Sequence, residues 1–172
     1  MYRGIKFHPY FLGLADTDFP LAVDVAQQAE KKGLWVAVCC SYGTKNVFSI
    51  SGARLIAALS QSVSDTPLIA LHGGGKAILD VMSIAFETPN LFLETSFSIP
   101  FWVGSSVEAD YVFAMRKLGC HRWIYGSDHP FVTMEDGRRE IDSFFKRHHF
   151  SDIEVEAIIS GTAHTQLGLG EK

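Results

Sequence analysis

An α/β fold built on a parallel sheet is predicted by two features of this sequence. Apolar, strand-like runs recur five times: "RGIKFH" (3–8), "LWVAVCC" (34–40), "PLIALH" (67–72), "NLFLETS" (90–96) and "RWIYGS" (122–127). Helical patterns separate them. Several of the runs are almost continuously apolar, as parallel strands covered on both faces tend to be. Five consecutive strand–helix units imply right-handed crossovers, and therefore ligands at the carboxyl ends of the strands.

The helical segments each have a pattern and a stop. Residues 19–32 carry Leu21, Val25 and Ala29 at intervals of four and end at Gly33. Residues 51–63 place Leu55, Ile56 and Leu59 on one face, and residues 76–86 and 108–118 repeat the habit, the latter closed by Gly119. A helix over 136–149 and a last one from Asp152, capped by Ser151, finish the chain.

Composition narrows the function. The 172 residues are expected to form a single domain over 1–172, and 47% hydrophobic residues can bury a sizeable core. A formal charge of −4 offers no basic surface for nucleic acid, and the one basic cluster, "KRHH" (146–149), reads as a solvated helix end. The first 20 residues hold Arg3, Lys6, Asp16 and Asp18 with no apolar signal segment, and no apolar run approaches the roughly 18 residues of a membrane span. Three cysteines, two adjacent as Cys39 and Cys40, make no disulfide framework. A soluble, cytoplasmic protein without nucleic-acid or membrane partners is expected.

The chemistry collects at the strand ends. His8, Cys39 to Ser41, His72, Glu94 to Ser96, and Asp128 each lie at or just past the end of a predicted strand, so they should converge on one rim of the sheet. In "GIKFHPYF" the period of two puts Lys6 and His8 on one face, opposite Ile5 and Phe7. Lys6 is placed to meet a carboxylate or an anionic substrate, to be carboxylated between two metals, or simply to snorkel from a strand start. The glycines after His72 in "LIALHGGGK" either open backbone N–H groups to an anion or let the chain turn sharply; the segment lacks the nucleotide-loop pattern. Facing imidazole and carboxylate groups suit zinc or another divalent ion, with Asp128 able to take the proton of an activated water. The alternative is that Asp128 caps the segment after it.

With these residues placed, the sequence resembles the C-terminal part of the amidohydrolase-related proteins of the "amidohydrolase 2" type, metal-dependent (β/α)8-barrel hydrolases and decarboxylases. "GIKFHP", "PLIALHGGG", "NLFLETS" and "RWIYGSDHPF" resemble that family's strands four, six, seven and eight in order, and "IISGTAHTQLGL" its closing helix. The resemblance implies an incomplete (β/α)8-barrel-like fold of about five parallel βα units. It implies His72 as the strand-six histidine and Asp128 as the aspartate that binds metal and handles the water proton, both catalytic. Lys6, His8 and Glu94 would then face substrate.

The departures are specific. The family's HxH pair is absent, because the sequence starts near strand four, whereas a whole barrel needs roughly 250 residues. The strand-five position expected as histidine is Cys39, which could bind zinc as thiolate, and Thr162 stands where the closing helix usually has asparagine. The implied metal set is His72, Asp128 and Cys39, with zinc foremost. Three readings stay open: a metal-dependent hydrolase or decarboxylase of a small, carboxylated molecule; a non-catalytic barrel remnant; or a segment whose N-terminal half lies on another chain or is missing from the gene model. Unpaired edge strands and an open inner apolar face predict a homo-oligomer or a complementary N-terminal half as partner.

Overall fold

The computed structural model describes residues 2–41 and 45–168. Five strands, β1 (Gly4–Phe7), β2 (Trp35–Cys39), β3 (Leu68–Leu71), β4 (Leu91–Glu94) and β5 (Trp123–Ile124), form one sheet in the order β1-β2-β3-β4-β5, all neighbours parallel. The helices between and after them are α1 (Pro9–Leu12), α2 (Phe19–Glu30), α3 (Gly52–Ser60), α4 (Ile78–Glu87), α5 (Ser98–Phe101), α6 (Ser106–Leu118), α7 (Met134–Arg147), α8 (Asp152–Glu156) and α9 (Thr162–Gln166). The fold is α/β, a barrel-like arc of five βα units. No helix among the described residues is long and apolar enough to cross a membrane.

Register sorts the strand residues into two faces. Phe7, Val38, Ala70, Leu93 and Trp123 stand side by side across all five strands and point outward into the main core. Against them pack Leu55, Ile56 and Leu59 of α3, Ile78, Val81 and Ala85 of α4, and Tyr111 and Met115 of α6. The stripe expected of α3 is therefore the buried one. On α2 only Ala29 of the expected stripe is buried: Leu21 and Val25 are 67% and 44% exposed, and Ala22 and Ala26 are buried in their place. Small side chains let this helix lie close to the sheet, a gain in packing that hydrophobic spacing alone does not reveal.

Lys6, Ala37, Ile69 and Phe92 form the corresponding inner row. The inner face is less open than expected, since Ala37, Ile69, Phe92 and Ile124 are all buried, with Trp35, Leu71, and Ala163 and Leu167 from the C-terminal segment packed on them. The Trp35 ring lies where a side chain on Gly4 would be, so glycine at the start of β1 admits that cover.

The last strand is the shortest. Residues 120–122 wind as a 3-10 turn instead of extending β5, and Arg122 donates to the carbonyls of Ala85, Thr88 and Leu91, fastening the end of α4 to the start of β4. Beyond β5 the Tyr125 N–H bonds to the Ile158 carbonyl, so the chain's final segment meets this stretch where a sixth strand could have paired. That segment, resembling the closing helix, is broken by a π-turn at Ala157–Gly161, where Thr162 Oγ1 donates to the Ala157 carbonyl at 2.9 Å. Leu169, the last residue of that motif, lies outside the described residues.

Candidate active site

Parallel strands deliver His8, Cys39, His72 and Glu94 to the same edge of the sheet, because each ends its strand or directly follows it. Asp128 follows β5 by four residues in a turn with φ of 67°, its backbone carbonyl accepting from the N–H groups of Phe131 and Val132. Electrostatics ties the set together: Lys6, Asp128 and Glu94 all act on the Cys39 thiol, and Lys6 and His72 act on His8. The rim inferred from the sequence is thus one neighbourhood.

His72 is the most constrained member. Its φ is 60°, strained for a non-glycine residue, and three contacts hold it there. Its N–H donates to Glu94 Oε2 at 3.1 Å, and its carbonyl accepts from Tyr111 Oη at 2.6 Å and Ser98 Oγ at 2.8 Å. The ring nitrogen Nδ1 lies 3.0 Å from Ser96 Oγ and 3.1 Å from the Ser96 carbonyl. Gly73, Gly74 and Gly75 follow with φ of 57°, 98° and 56°, so the glycine run turns the chain sharply into α4.

Glu94 is buried on β4 with its carboxylate surrounded by donors. Oε1 accepts from the Ser96 N–H at 2.8 Å, and Oε2 from Ser96 Oγ at 2.7 Å as well as from His72. A Cβ on Gly126 would sit 1.9 Å from Glu94 Oε1, so the end of β5 approaches this carboxylate only because that residue is glycine.

The remaining groups differ in availability. Lys6 is exposed on the inner face. Burial, then Lys6, hold the His8 imidazole below its ordinary range, and its buried Nδ1 has no partner among the described residues. Burial pushes the Cys39 thiol up, and its S–H lies 3.9 Å from the Ser41 carbonyl, so at neutral pH it is a thiol. Cys40 points to the outer core, and burial raises it further. The Asp128 carboxylate is half-buried and makes no hydrogen bond among the described residues, so nothing there shows it capping the segment that follows.

A cavity of about 600 Å³ lies beside this cluster, lined by residues such as Tyr10, Cys40, Phe48 and Trp102. None of Lys6, His8, Cys39, His72, Glu94 or Asp128 lines it, so these groups and this cavity are separate features.

A metal centre can be tested against the donors. No group of three or more His, Cys, Asp or Glu among the described residues could hold a metal ion. A catalytic zinc usually takes three protein ligands. The described residues do not by themselves complete such a centre.

Sequence reasoning placed Ser96 at the rim without giving it a role, and it missed Tyr111 altogether. Tyr111 lies on the fully buried side of α6, where a hydroxyl needs a partner; that need was the available signal.

Comparison with known proteins places this geometry. Solved structures that resemble the chain include an uncharacterised TIM-barrel protein from Bordetella bronchiseptica, with TM-score 0.69 and 17% identity over 89% of this chain and 50% of that one. An amidohydrolase from Burkholderia multivorans with bound zinc gives TM-score 0.67 and 14% identity over 96% and 64%. The 2,6-dihydroxybenzoate decarboxylase from Rhizobium gives 0.60 and 13% over 88% and 56%. The chain therefore spans 50% to 64% of the length of these structures. A search of curated proteins found no match. A family model described as amidohydrolase matches residues 2–169, and on that match over almost the whole sequence the chain belongs to the amidohydrolase family.

Proposed function

We propose that this chain forms part of the active centre of an amidohydrolase-type enzyme that acts on a small carboxylated molecule, by hydrolysis or decarboxylation. The observation that carries the reading is the convergence of Lys6, His8, Cys39, His72 and Asp128 at one rim of a family-matched parallel arc. Lys6 is exposed on the inner face and suits the substrate carboxylate. His8 stands beside it as a second polar contact. Asp128, half-buried and without a hydrogen bond among the described residues, accepts the proton in the chemical step. Glu94, whose carboxylate also accepts from His72 and Ser96 within the chain, is the third group given to substrate.

The family's neighbours include a zinc-bound protein, and a divalent metal, zinc foremost, is the cofactor this reading favours. This chain offers His72 and Asp128 toward it, with Cys39 as a thiol nearby. Further donors would come from a complementary half or from a second copy, and β1 and β5, each paired on one side only, supply edges on which either could dock. The purified chain alone should accordingly show at most feeble hydrolysis.

The competing reading is a non-catalytic member of the family, favoured by the missing three-donor group. Titrating the chain with benzoate as a carboxylate probe, followed by NMR, separates the two. Shifts at Lys6 and His8 that vanish in Lys6→Ala support the enzyme reading. Absence of binding, or binding unchanged in Lys6→Ala, overturns it, as would robust turnover undiminished in Asp128→Ala.

A further inference from the structure

We infer that Glu94 and Ser96 lock the His72 imidazole in the tautomer that carries its proton on Nδ1 and its lone pair on Nε2, which makes them positioning residues for a histidine that keeps that lone pair unspent. What that lone pair meets rests on the function proposed above. The tautomer itself does not.

The inference follows from counting donors and acceptors. Three groups face the Glu94 carboxylate, the His72 N–H, the Ser96 N–H and the Ser96 hydroxyl, and all three can donate. The carboxylate oxygens accept from all three. At 2.7 Å the bond from Ser96 Oγ to Glu94 Oε2 is the charge-assisted one, and it uses the single hydroxyl hydrogen of Ser96. Ser96 Oγ can then present only a lone pair to His72 Nδ1, 3.0 Å away. The second group against Nδ1 is the Ser96 backbone carbonyl at 3.1 Å, which has no hydrogen to give. With acceptors on both counts, Nδ1 must bear the hydrogen, and a neutral imidazole with a hydrogen on Nδ1 has a lone pair on Nε2.

The opposite tautomer would set a nitrogen lone pair against a carbonyl oxygen at the same 3.1 Å. Relieving that by turning the Ser96 hydroxyl toward Nδ1 would deprive Glu94 of one of its three donors in a buried setting. Rotation of the whole histidine is blocked at its backbone, where the Glu94, Tyr111 and Ser98 contacts fix both its N–H and its carbonyl. Ring movement is limited further by Phe97, whose ring meets the imidazole edge-on at a centroid distance of 6.2 Å. Nε2 makes no hydrogen bond among the described residues, so the lone pair fixed by this arrangement is unspent within the chain. Gly126 belongs to the device as well, since only glycine leaves Glu94 Oε1 its place.

The test is a long-range proton–nitrogen correlation spectrum of the chain labelled with nitrogen-15 histidine, at about pH 8.5 where imidazoles are neutral. Comparison with His72→Gln assigns the His72 signals. The expected result is a protonated, pyrrole-type Nδ1 and a bare, pyridine-type Nε2. In Glu94→Gln the side-chain amide can donate to Ser96 Oγ and free its hydroxyl, so His72 should move toward a mixture of tautomers; Ser96→Ala should do the same to a smaller extent, because the carbonyl remains. Circular dichroism of each variant checks that it folds. A wild-type His72 protonated on Nε2, or present as a solvent-like mixture, overturns the inference without reference to any variant. A folded Glu94→Gln with the tautomer unchanged overturns the part given to Glu94. Should the tautomer stand while benzoate fails to bind, the proposed function falls and the positioning role does not.

Discussion

The outer and inner faces of the sheet are made by alternate residues of the same five strands, yet only the outer one is backed by a continuous layer of helices. On the outside, Val36, Val38, Leu68, Ala70, Leu91, Leu93 and Trp123 are fully enclosed by α2, α3, α4 and α6. On the inside, four buried residues form a narrow strip that shares its row with an exposed lysine and runs toward the groups of the rim. The difference separates two tasks. Burial that stabilises the chain is concentrated where helices cover strands, and the candidate site lies where they do not, so that the inner face keeps polar groups near an apolar strip too small to form a core alone.

Adjacent residues of β3 give the sharpest way to break this contrast. Leu68 points outward and Ile69 inward, and both are buried. Leu68→Ala should cost about 3–4 kcal/mol in urea unfolding, the range for a cavity in a closed core. Ile69→Ala should cost only about 1–2 kcal/mol, because an open face lets neighbours or water fill the space it leaves. Equal losses would mean that the inner strip is core in its own right.

A second effect, of roughly 2 kcal/mol, is expected at Gly126. An added methyl there would come 1.9 Å from Glu94 Oε1 and 3.3 Å from Ser96 Cβ, so Gly126→Ala must push the carboxylate off its donors. Gly104→Ala is the control: its φ of 77° disfavours a side chain, but no atom lies within 4 Å of the new Cβ. Its cost should stay near about 1 kcal/mol, from backbone conformation alone. Thermal unfolding of the two variants orders them, and a Gly104 loss as large as that at Gly126 would remove the crowding argument.

Buried acids differ between the faces too. Glu94 meets neutral donors, whereas Glu108, on α6 at the outer layer, meets a guanidinium and an imidazole: Arg147 Nη2 lies 2.6 Å and His148 Nε2 2.9 Å from its Oε1. Burial works to raise the Glu108 carboxyl, but the Gly104 N–H, His148 and Arg147 outweigh it and bring it down to about 2. A carboxyl depressed in the folded state stabilises the fold above its unfolded value of 4.5, and that contribution is lost as the pH falls toward about 2. Glu108→Gln should therefore remove about 2 kcal/mol at neutral pH and leave a shallower loss of stability across the window from 4.5 down to about 2, read by unfolding at stepped pH. An unchanged acid limb would show that Glu108 is not the group titrating there.

These contrasts also explain what the sequence could and could not reveal. Strand alternation and apolar periodicity are local, and they placed all five strands and the buried stripe of α3, Leu55, Ile56 and Leu59. They misled at α2, where contact with the sheet favours Ala22, Ala26 and Ala29 over the larger Leu21 and Val25. They overextended β5, because Arg122 is diverted to the carbonyls of α4 and β4 and Tyr125 to Ile158, partners distant in the chain. At the rim, the positions of His8, Cys39, His72 and Glu94 at strand ends were legible from the sequence, whereas Asp128 lies four residues beyond a strand shorter than expected. The bonding among His72, Glu94, Ser96, Ser98 and Tyr111 was not legible, since it joins residues up to 39 positions apart through side-chain geometry that no spacing encodes.

The smallest effect is expected on the exposed side of α7, where Arg138 Nε lies 2.9 Å from Asp142 Oδ1 with both side chains well exposed. An exposed pair one helical turn apart gains little, and the cation here precedes the acid, the weaker order for a helix dipole, so a double-mutant cycle should give a coupling of about 0.3 kcal/mol. It should fade in roughly 1 M salt, where screening acts over a few ångströms. The measurement bears on the two-face contrast because α7 also touches the rim: Gly137, next to Arg138, leaves room for Ser127 and Tyr125, and a Cβ there would lie 3.0 Å from Ser127 Cβ. Burial raises the Tyr125 hydroxyl, Arg138 opposes that rise and Asp142 adds to it, so the surface pair reaches the turn leading to Asp128 electrostatically. If that reach carried energy, removing the pair would cost far more than a surface interaction can. A coupling above about 1 kcal/mol that survives high salt would mean that α7 braces the rim, and that stability and chemistry are less separate than the two faces imply.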